Sequence, residues 1–149
     1  MGNHENAVIE GRDCIDSKYH EKDIEYIRWM RRLPLYYATK EQIFCHAGIE
    51  EEAEDLWKLG TEDYTFIEKI PASLGAFYMD IIAGHVGTYQ IAGDKDFHEI
   101  YYDGYSHYYI DGTVLHSGKL PVLLVDTKTR TYYSVTKEGK KKIVPYEKK

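Results

Sequence analysis

Three histidines are flanked by small residues at the predicted ends of structural elements. The segments are Gly-Asn-His-Glu with Asn3 and His4, Phe-Cys-His-Ala-Gly with His46, and Ala-Gly-His-Val-Gly with His85. An apolar strand delivers the residue that follows it to a sheet edge, and glycine lets the backbone turn sharply there. Imidazole nitrogens and an amide oxygen suit divalent ions such as Zn, Mn and Fe. Each histidine alone would suit a structural role, but the three together predict a shared cleft that holds a metal ion.

The elements that must position these residues are helices in the first half of the chain and short strands in the second. Pro34 ends the second helix, and Gly60 and Pro71 break an acidic helical region. The second half has short runs rich in β-branched and aromatic residues, bounded by Gly, Asp or Pro. The predicted helices cover residues 5–13, 20–33 and, in pieces, 50–70; the predicted strands lie within 33–39, 42–49, 79–85, 98–104, 107–112, 120–126, 130–135 and 142–146. The sequence therefore predicts one α/β domain with mixed sheets.

Charge and composition exclude several classes of partner. The chain has 149 residues and a formal net charge of −6, which disfavours binding to nucleic acid or to an anionic membrane surface. The basic run at residues 137–142 is predicted to be a solvated turn. No segment approaches the roughly 20 apolar residues of a membrane span, and the first 20 residues do not form a signal peptide. With only two cysteines, Cys14 and Cys45, we expect a soluble protein in a reducing, cytoplasmic setting.

The order of these motifs resembles that of the calcineurin-like metallophosphoesterases, and within them the bacterial serine/threonine protein phosphatase branch. Gly-Asn-His-Glu is followed by an apolar strand with His-Ala-Gly and by an apolar strand with Gly-His. The segment 107–135 strengthens the resemblance, because it is similar to that branch's His-x-x-Ile-Asp-Gly, Gly-Lys-Leu and strand ending in Asp. The resemblance covers nearly the whole chain, and four segments in order are more specific than any one.

The resemblance implies a phosphoesterase that uses two metal ions. By that match Asn3, His46 and His85 would be ligands of one divalent ion (Mn, Zn or Fe), and His4 would protonate the leaving-group oxygen. Two ions about 3.5–4 Å apart would clamp the phosphate and generate a hydroxide for in-line attack. The implied substrate is a phosphoprotein or a small phosphorylated molecule.

Two motifs of that family are absent from the sequence. The family supplies its other metal ligands from an Asp-x-His motif and a Gly-Asp-x-x-Asp-Arg-Gly motif ahead of Gly-Asn-His-Glu, where this sequence has only Met1. The Asp-Phe-His at residues 96–98 follows no apolar strand and is not expected to replace them. We therefore expect residues 1–149 to be the C-terminal portion of the family's helix-flanked β-sandwich, inactive alone and weak or lacking in metal binding. An exposed sheet edge would then favour self-association.

Two alternatives remain open from the sequence. One is a dinucleotide polyphosphate hydrolase of the same superfamily, which shares these motifs and differs mainly in its substrate. The other is a non-catalytic binding module whose histidines are structural. Metal content would distinguish the binding module from the phosphoesterases, and substrate profiling would distinguish the two hydrolases. Among the remaining polar residues, His107 is expected to be a structural hydrogen-bonding group, His116 an exposed turn residue, and Asp111 a turn residue that supports a metal-binding histidine.

Overall fold

The structure, a computed structural model, describes residues 1–14 and 23–148. Short helices connect the strands and cover one side of the molecule. The helices are α1 (Asn3–Ile9), α2 (Asp23–Met30), a 3₁₀ helix (Glu51–Leu56), α3 (Trp57–Gly60), α4 (Asp63–Glu68), α5 (Thr88–Ala92) and α6 (Val114–Ser117). The predicted second helix begins at His20, and its first three residues lie outside the described part of the chain.

The described residues include eight strands, which form two sheets. They are β1 (Tyr36–Ala38), β2 (Gln42–Cys45), β3 (Asp80–Ala83), β4 (Tyr101–Tyr102), β5 (His107–Tyr109), β6 (Val122–Asp126), β7 (Thr131–Thr136) and β8 (Gly139–Lys142). One sheet has the order β1-β2-β3-β5-β4, and the other is an antiparallel meander β6-β7-β8. In the larger sheet β2, β3 and β5 are parallel to one another, and the two edge strands are antiparallel to their neighbours.

The side chain of Thr39 stabilises the turn of the hairpin that β1 and β2 form. Its hydroxyl accepts the backbone N–H groups of Glu41 and Gln42, which closes the turn between the two strands. The hairpin brings Phe44 opposite Tyr37, and β2 then continues as the first of the parallel strands.

The two sheets pack face to face through aromatic side chains. Tyr108 of the larger sheet stacks on Tyr132 of the smaller one, with ring centroids 4.3 Å apart, and Tyr102 stacks on Tyr108 at the same spacing. Leu123 and Val125 of β6 pack against this cluster. One tyrosine of each of the pairs on β4 and β5 therefore lies in the core between the sheets, while its neighbour, Tyr101 or Tyr109, packs on the opposite face, as the alternation of side chains along a strand predicts.

The opposite face of the larger sheet is covered by helices. Ile43 and Ile81 pack against Trp57 of α3 and Phe66 of α4. The next residue along each strand points the other way, toward the smaller sheet. This arrangement gives a helical layer, a mixed sheet and an antiparallel sheet. The α/β class with mixed sheets is therefore correct. Within the described residues, no helix has the length and apolar character needed to cross a bilayer.

The end of the chain differs from the prediction. Residues 142–146 were expected to form a strand and residues 137–142 a solvated turn, but the last strand is β8, at Gly139–Lys142. A hairpin turn with a positive φ at Gly139 allows this lysine-rich segment to pair with β7, and all four of its residues stay exposed. Of residues 142–146, Lys142 lies in β8 and the Ile143 N–H still donates to the Tyr132 carbonyl, whereas Pro145 has no backbone N–H with which to continue the ladder.

Candidate functional site

The three parallel strands end at the same edge of the larger sheet. His46 directly follows β2, His85 comes two residues after β3, and Asp111 comes two residues after β5. The Gly84 N–H donates to the carbonyl of His46 at 2.8 Å, and the Thr88 N–H donates to the carbonyl of Asp111 at 2.9 Å. Ligand sites of open α/β sheets lie at this carboxyl-terminal edge. The loops that follow the strands are therefore held side by side where a site is expected.

Helix α1 brings Asn3 to this edge. The Asn3 Oδ1 and His46 Nε2 atoms are 2.8 Å apart, across 43 residues of sequence. Gly2 makes the approach possible, since a Cβ at that position would lie 2.8 Å from His46 Nδ1. The Glu5 carboxylate accepts the Gly2 N–H at 2.9 Å and holds the start of the helix in place. Apart from the motif that contains them, Gly2 and Glu5 have no signal in the sequence that indicates these contacts.

His46 and His85 lie next to each other, which confirms the expected proximity of the two strand ends. Their ring centroids are 5.2 Å apart. Two imidazoles that bind one ion through nitrogens at about 2.1 Å have ring centres roughly 5 Å apart. His85 has a positive φ of 63°, and its Nε2 is buried with no hydrogen-bond partner among the described residues. The spacing and the unpartnered nitrogen both fit a shared cation.

The surroundings of His46 favour its neutral form. Burial lowers the pKa of His46, and the adjacent His85 ring lowers it further, whereas Glu5 and Asp111 act in the opposite direction and do not outweigh them. Because only a neutral imidazole can bind a metal ion, the lowered pKa leaves His46 in its ligating form at neutral pH.

The predicted catalytic residue, His4, lies apart from these contacts. It occupies the first turn of α1 next to Asn3, and its side chain is exposed. Its side chain forms no hydrogen bond with the part of the chain that the structure describes. An exposed imidazole at this edge can exchange protons with solvent and with a bound molecule, and its role as a general acid stays a prediction.

The candidate ligands at this edge include no carboxylate. Among residues 1–14 and 23–148, no group of three His, Cys, Asp or Glu side chains is arranged to hold a metal ion. The candidate set is therefore two imidazoles and one amide oxygen. Asp111 brings a carboxylate close enough to influence His46, but its Oδ1 accepts the Thr113 N–H at 2.8 Å. This hydrogen bond stabilises a turn, which is the role predicted for Asp111. Asp111 follows β5 in the same way that His46 follows β2 and His85 follows β3.

The other histidines among the described residues have separate environments. His107 is completely buried between Asp103 and Glu51, as expected for a structural hydrogen-bonding residue. His116 is exposed, but it belongs to the short helix α6 rather than to a turn. His98 Nδ1 lies 3.0 Å from Thr113 Oγ1.

An open pocket of about 480 Å³ borders the candidate set on one side. Its lining includes Gly2, Glu5, His46, Tyr37 and Phe44. Neither His4 nor His85 lines it, so the pocket adjoins the site without enclosing it.

The chain matches no family model, no curated protein and no solved structure. The likeness to the metallophosphoesterases therefore rests on the order of the motifs, and membership in that family stays a prediction. What the geometry adds is independent of the family: three separated segments meet at one sheet edge.

Proposed function

We propose that this chain carries one metal-binding half of a phosphoesterase centre, of the serine/threonine protein phosphatase type. Asn3, His46 and His85 hold one divalent ion, and His4 protonates the leaving-group oxygen. The proposal is carried by one observation: Asn3 lies against His46, and His46 against His85, at the carboxyl-terminal edge of parallel strands. The substrate class is a phosphoprotein or a small phosphorylated molecule.

The atomic spacing supports a shared ion. The 2.8 Å between Asn3 Oδ1 and His46 Nε2 is close to the roughly 3 Å that separates two donor atoms bound to one ion at about 2.1 Å. Small rotations of these two side chains would break the contact between the two atoms and point both of them at a cation. His85 needs no bond broken for this purpose, because its Nε2 has no partner among the described residues. Bound there, an ion of the Zn, Mn or Fe class supplies a Lewis acid for a phosphoryl oxygen.

The neutral ligand set makes the proposed site weak. Two imidazoles and an amide offer no negative charge to compensate a divalent cation. The nearest carboxylates, Glu5 and Asp111, accept backbone N–H groups of Gly2 and Thr113. A pair of ions would need additional carboxylates to bridge them. We therefore propose that efficient hydrolysis depends on acidic ligands other than Asn3, His46 and His85.

Calorimetric titration with Zn²⁺ and Mn²⁺ tests the proposal. The wild-type chain is expected to bind one ion weakly, and His46→Ala is expected to abolish binding because it removes the central donor. His116→Ala is the matched control, since it deletes an exposed imidazole outside the site. Equal heats for wild type and His46→Ala, or no binding to the wild type, would contradict the proposal.

One observation favours a non-catalytic binding module instead. Asn3 and His46 already satisfy each other by a hydrogen bond, so these two residues can serve to fix α1 on β2 without a metal ion. In that case His46→Ala lowers the stability of the fold, and the wild-type chain gives no heat of metal binding. The same titration therefore separates the two functions.

A further inference from the structure

Asp111 brings a carboxylate to the sheet edge that carries the candidate ligands. It lies two residues after β5, as His85 lies two residues after β3, and His46 directly follows β2. Strands β2, β3 and β5 are parallel neighbours in that order. The loop of His85 therefore lies between the loop that carries His46 and the loop that carries Asp111.

Gly84, the residue before His85, shows how closely the two outer loops approach the middle one. A Cβ at Gly84 would lie 3.6 Å from the His46 carbonyl oxygen and 4.0 Å from the Asp111 Cβ. Burial lowers the pKa of His46, and the charge of Asp111 opposes this shift. The Asp111 side chain therefore begins beside the residue that precedes His85, and its charge acts on His46.

Only one oxygen of this carboxylate is engaged within the described residues. Asp111 Oδ1 accepts the Thr113 N–H at 2.8 Å. Within residues 1–14 and 23–148, Oδ2 accepts no hydrogen bond and Asp111 forms no ion pair. The side chain is half-buried, and withdrawing a carboxylate from water is unfavourable unless a positive charge compensates it. The second oxygen of Asp111 therefore remains available to a cation.

The turn after Asp111 fixes the orientation of the carboxylate. Thr113 has a φ of 50°, which is an unfavourable conformation for a β-branched residue. Its N–H donates to Asp111, and its hydroxyl lies 3.0 Å from His98 Nδ1. Between them Gly112 is closely packed, since a Cβ there would lie 2.6 Å from Pro121. Strained residues that their surroundings hold in this way cluster at ligand sites.

We propose that Asp111 balances the charge of the ion held by Asn3, His46 and His85, a role that rests on the proposed function. Two imidazoles and an amide leave both positive charges of a divalent ion uncompensated, and one carboxylate at the same edge offsets half of that charge. No three His, Cys, Asp or Glu side chains of the described residues are arranged to bind an ion directly. Asp111 therefore acts from the outer coordination sphere, through Oδ2.

Glu5, the other carboxylate near His46, lies toward a different atom of the imidazole. A Cβ at Gly2 would lie 3.0 Å from Glu5 Oε2 and 2.8 Å from His46 Nδ1. The Nε2 atom of His46 lies instead beside Asn3 Oδ1, where the proposed ion binds. Glu5 is thus on the Nδ1 side of the ring, and its Oε2 accepts the Gly2 N–H.

Calorimetric titration with Zn²⁺ on the full chain tests this role. Asp111→Asn is expected to raise the dissociation constant of Zn²⁺ roughly tenfold or more, because it removes the charge while its amide oxygen still accepts the Thr113 N–H. Asp126→Asn is the matched control. Asp126 Oδ1 also accepts the N–H two residues further on, that of Lys128, at 2.9 Å, but Asp126 ends β6 in the smaller sheet, away from the site. The control is expected to bind Zn²⁺ as the wild type does.

A second variant separates the charge from the turn. Asp111→Ser also keeps an oxygen that can accept the Thr113 N–H, and it is expected to weaken Zn²⁺ binding as Asp111→Asn does. Thermal unfolding without metal shows that each variant keeps the fold. If both Asp111 variants bind Zn²⁺ like the wild type while His46→Ala abolishes binding, the role of Asp111 is refuted and the proposed function stands. An equal loss in Asp126→Asn would refute the role of Asp111 as well, and a wild-type chain that binds no metal would refute both proposals.

Discussion

His107 connects two acidic side chains in the interior, and we expect His107→Leu to lower the stability of the fold substantially. The imidazole is completely buried at the start of β5. Its Nδ1 lies 2.9 Å from Asp103 Oδ2, and its Nε2 lies 3.2 Å from Glu51 Oε2. Lys69 Nζ lies 3.7 Å from the other carboxylate oxygen of Glu51, Oε1. The side chain of Asp103 is 3% exposed, so water can replace little of what the imidazole provides.

The expected loss of stability in His107→Leu follows from the burial of the imidazole. Leucine is close to histidine in volume, so the variant removes the charge and both hydrogen bonds without opening a large cavity. Removing one partner of a buried ion pair costs about 3–5 kcal/mol, because the remaining charge is left uncompensated. Since a loss of 1 kcal/mol lowers the melting temperature by roughly 2–4 °C in a domain of this size, the midpoint should fall by about 10 °C. Lys119→Ala breaks an ion pair with Glu99 in which both side chains are 52% exposed, and there the expected cost is about 0–1 kcal/mol.

The same cluster should make stability depend on pH. Burial alone would lower the pKa of His107, but the hydrogen bonds and charges of Glu51 and Asp103 outweigh burial and raise it above its ordinary value of 6.5. A group whose pKa is raised on folding stabilises the fold fully below the unfolded pKa, and this contribution is lost as pH rises through the folded pKa. The pKa values of Asp103 and Glu51 are lowered, although burial opposes this, by hydrogen bonds that include those to His107. Their contribution is lost as pH falls below their ordinary range near 4. The difference in stability between wild type and His107→Leu should therefore be largest between about pH 4.5 and 6.5 and should decrease above pH 6.5.

Urea denaturation of wild type, His107→Leu and Lys119→Ala at pH 6 and at pH 8 measures both effects. The difference between wild type and His107→Leu removes the contributions of the other histidines, including His46, whose pKa shifts in the opposite direction. A His107→Leu protein within about 1 kcal/mol of the wild type at pH 6 would refute the reasoning. A difference that stayed constant or grew between pH 6 and pH 8 would refute the assignment of the charge to His107.

Three further outcomes follow from particular residues. With Mn²⁺ the chain should hydrolyse p-nitrophenyl phosphate at no more than the background rate, because the candidate ligands Asn3, His46 and His85 include no carboxylate to bridge two ions; rapid hydrolysis that His4→Ala abolishes would contradict this. In the folded protein a thiol reagent should modify the exposed Cys14 faster than the half-buried Cys45, since burial raises the pKa of Cys45 to about 12; reaction of the two thiols at equal rates would argue against it. Tyr132→Phe should lower the free energy of unfolding by about 1–3 kcal/mol, because it removes the hydroxyl that donates to Asp80, and an unchanged urea midpoint would show that this bond contributes nothing.

The local elements with long apolar or aromatic runs could be predicted from the sequence. The hairpin of β1 and β2 and the strands β3, β5, β6 and β7 lie within the predicted segments. Helices α5 and α6 were missed because they have five and four residues, too few to display a helical period. Strand β8 was missed because its lysines carry no apolar signal. Its pairing depends on the turn at Gly139 and on the neighbouring β7, which a local pattern does not reveal.

The meeting of His46 and His85 could be predicted because both follow apolar strands, and parallel strands deliver the residues after them to one edge. The contact of Asn3 with His46 depends on more than strand order. It requires α1 to dock on the end of β2, with a glycine at position 2 where a Cβ would lie 2.8 Å from the imidazole. The motif that contains Gly2 and Asn3 indicated the residues, but only the packing of α1 shows which atoms face each other.

His85 gives the strongest physical reason to look for a ligand at this edge. A non-glycine residue with positive φ and a buried nitrogen without a partner each cost about 1–3 kcal/mol. Glycine at position 85 would avoid both costs, and Gly84 beside it shows that the loop accommodates glycine. His46 can be explained by its hydrogen bond to Asn3 alone, since that bond fixes α1 on the sheet. No such structural contact offsets the cost of His85 within the described residues. A cation shared with His46 would satisfy the nitrogen and would account for an imidazole at a position of this edge where the backbone favours glycine.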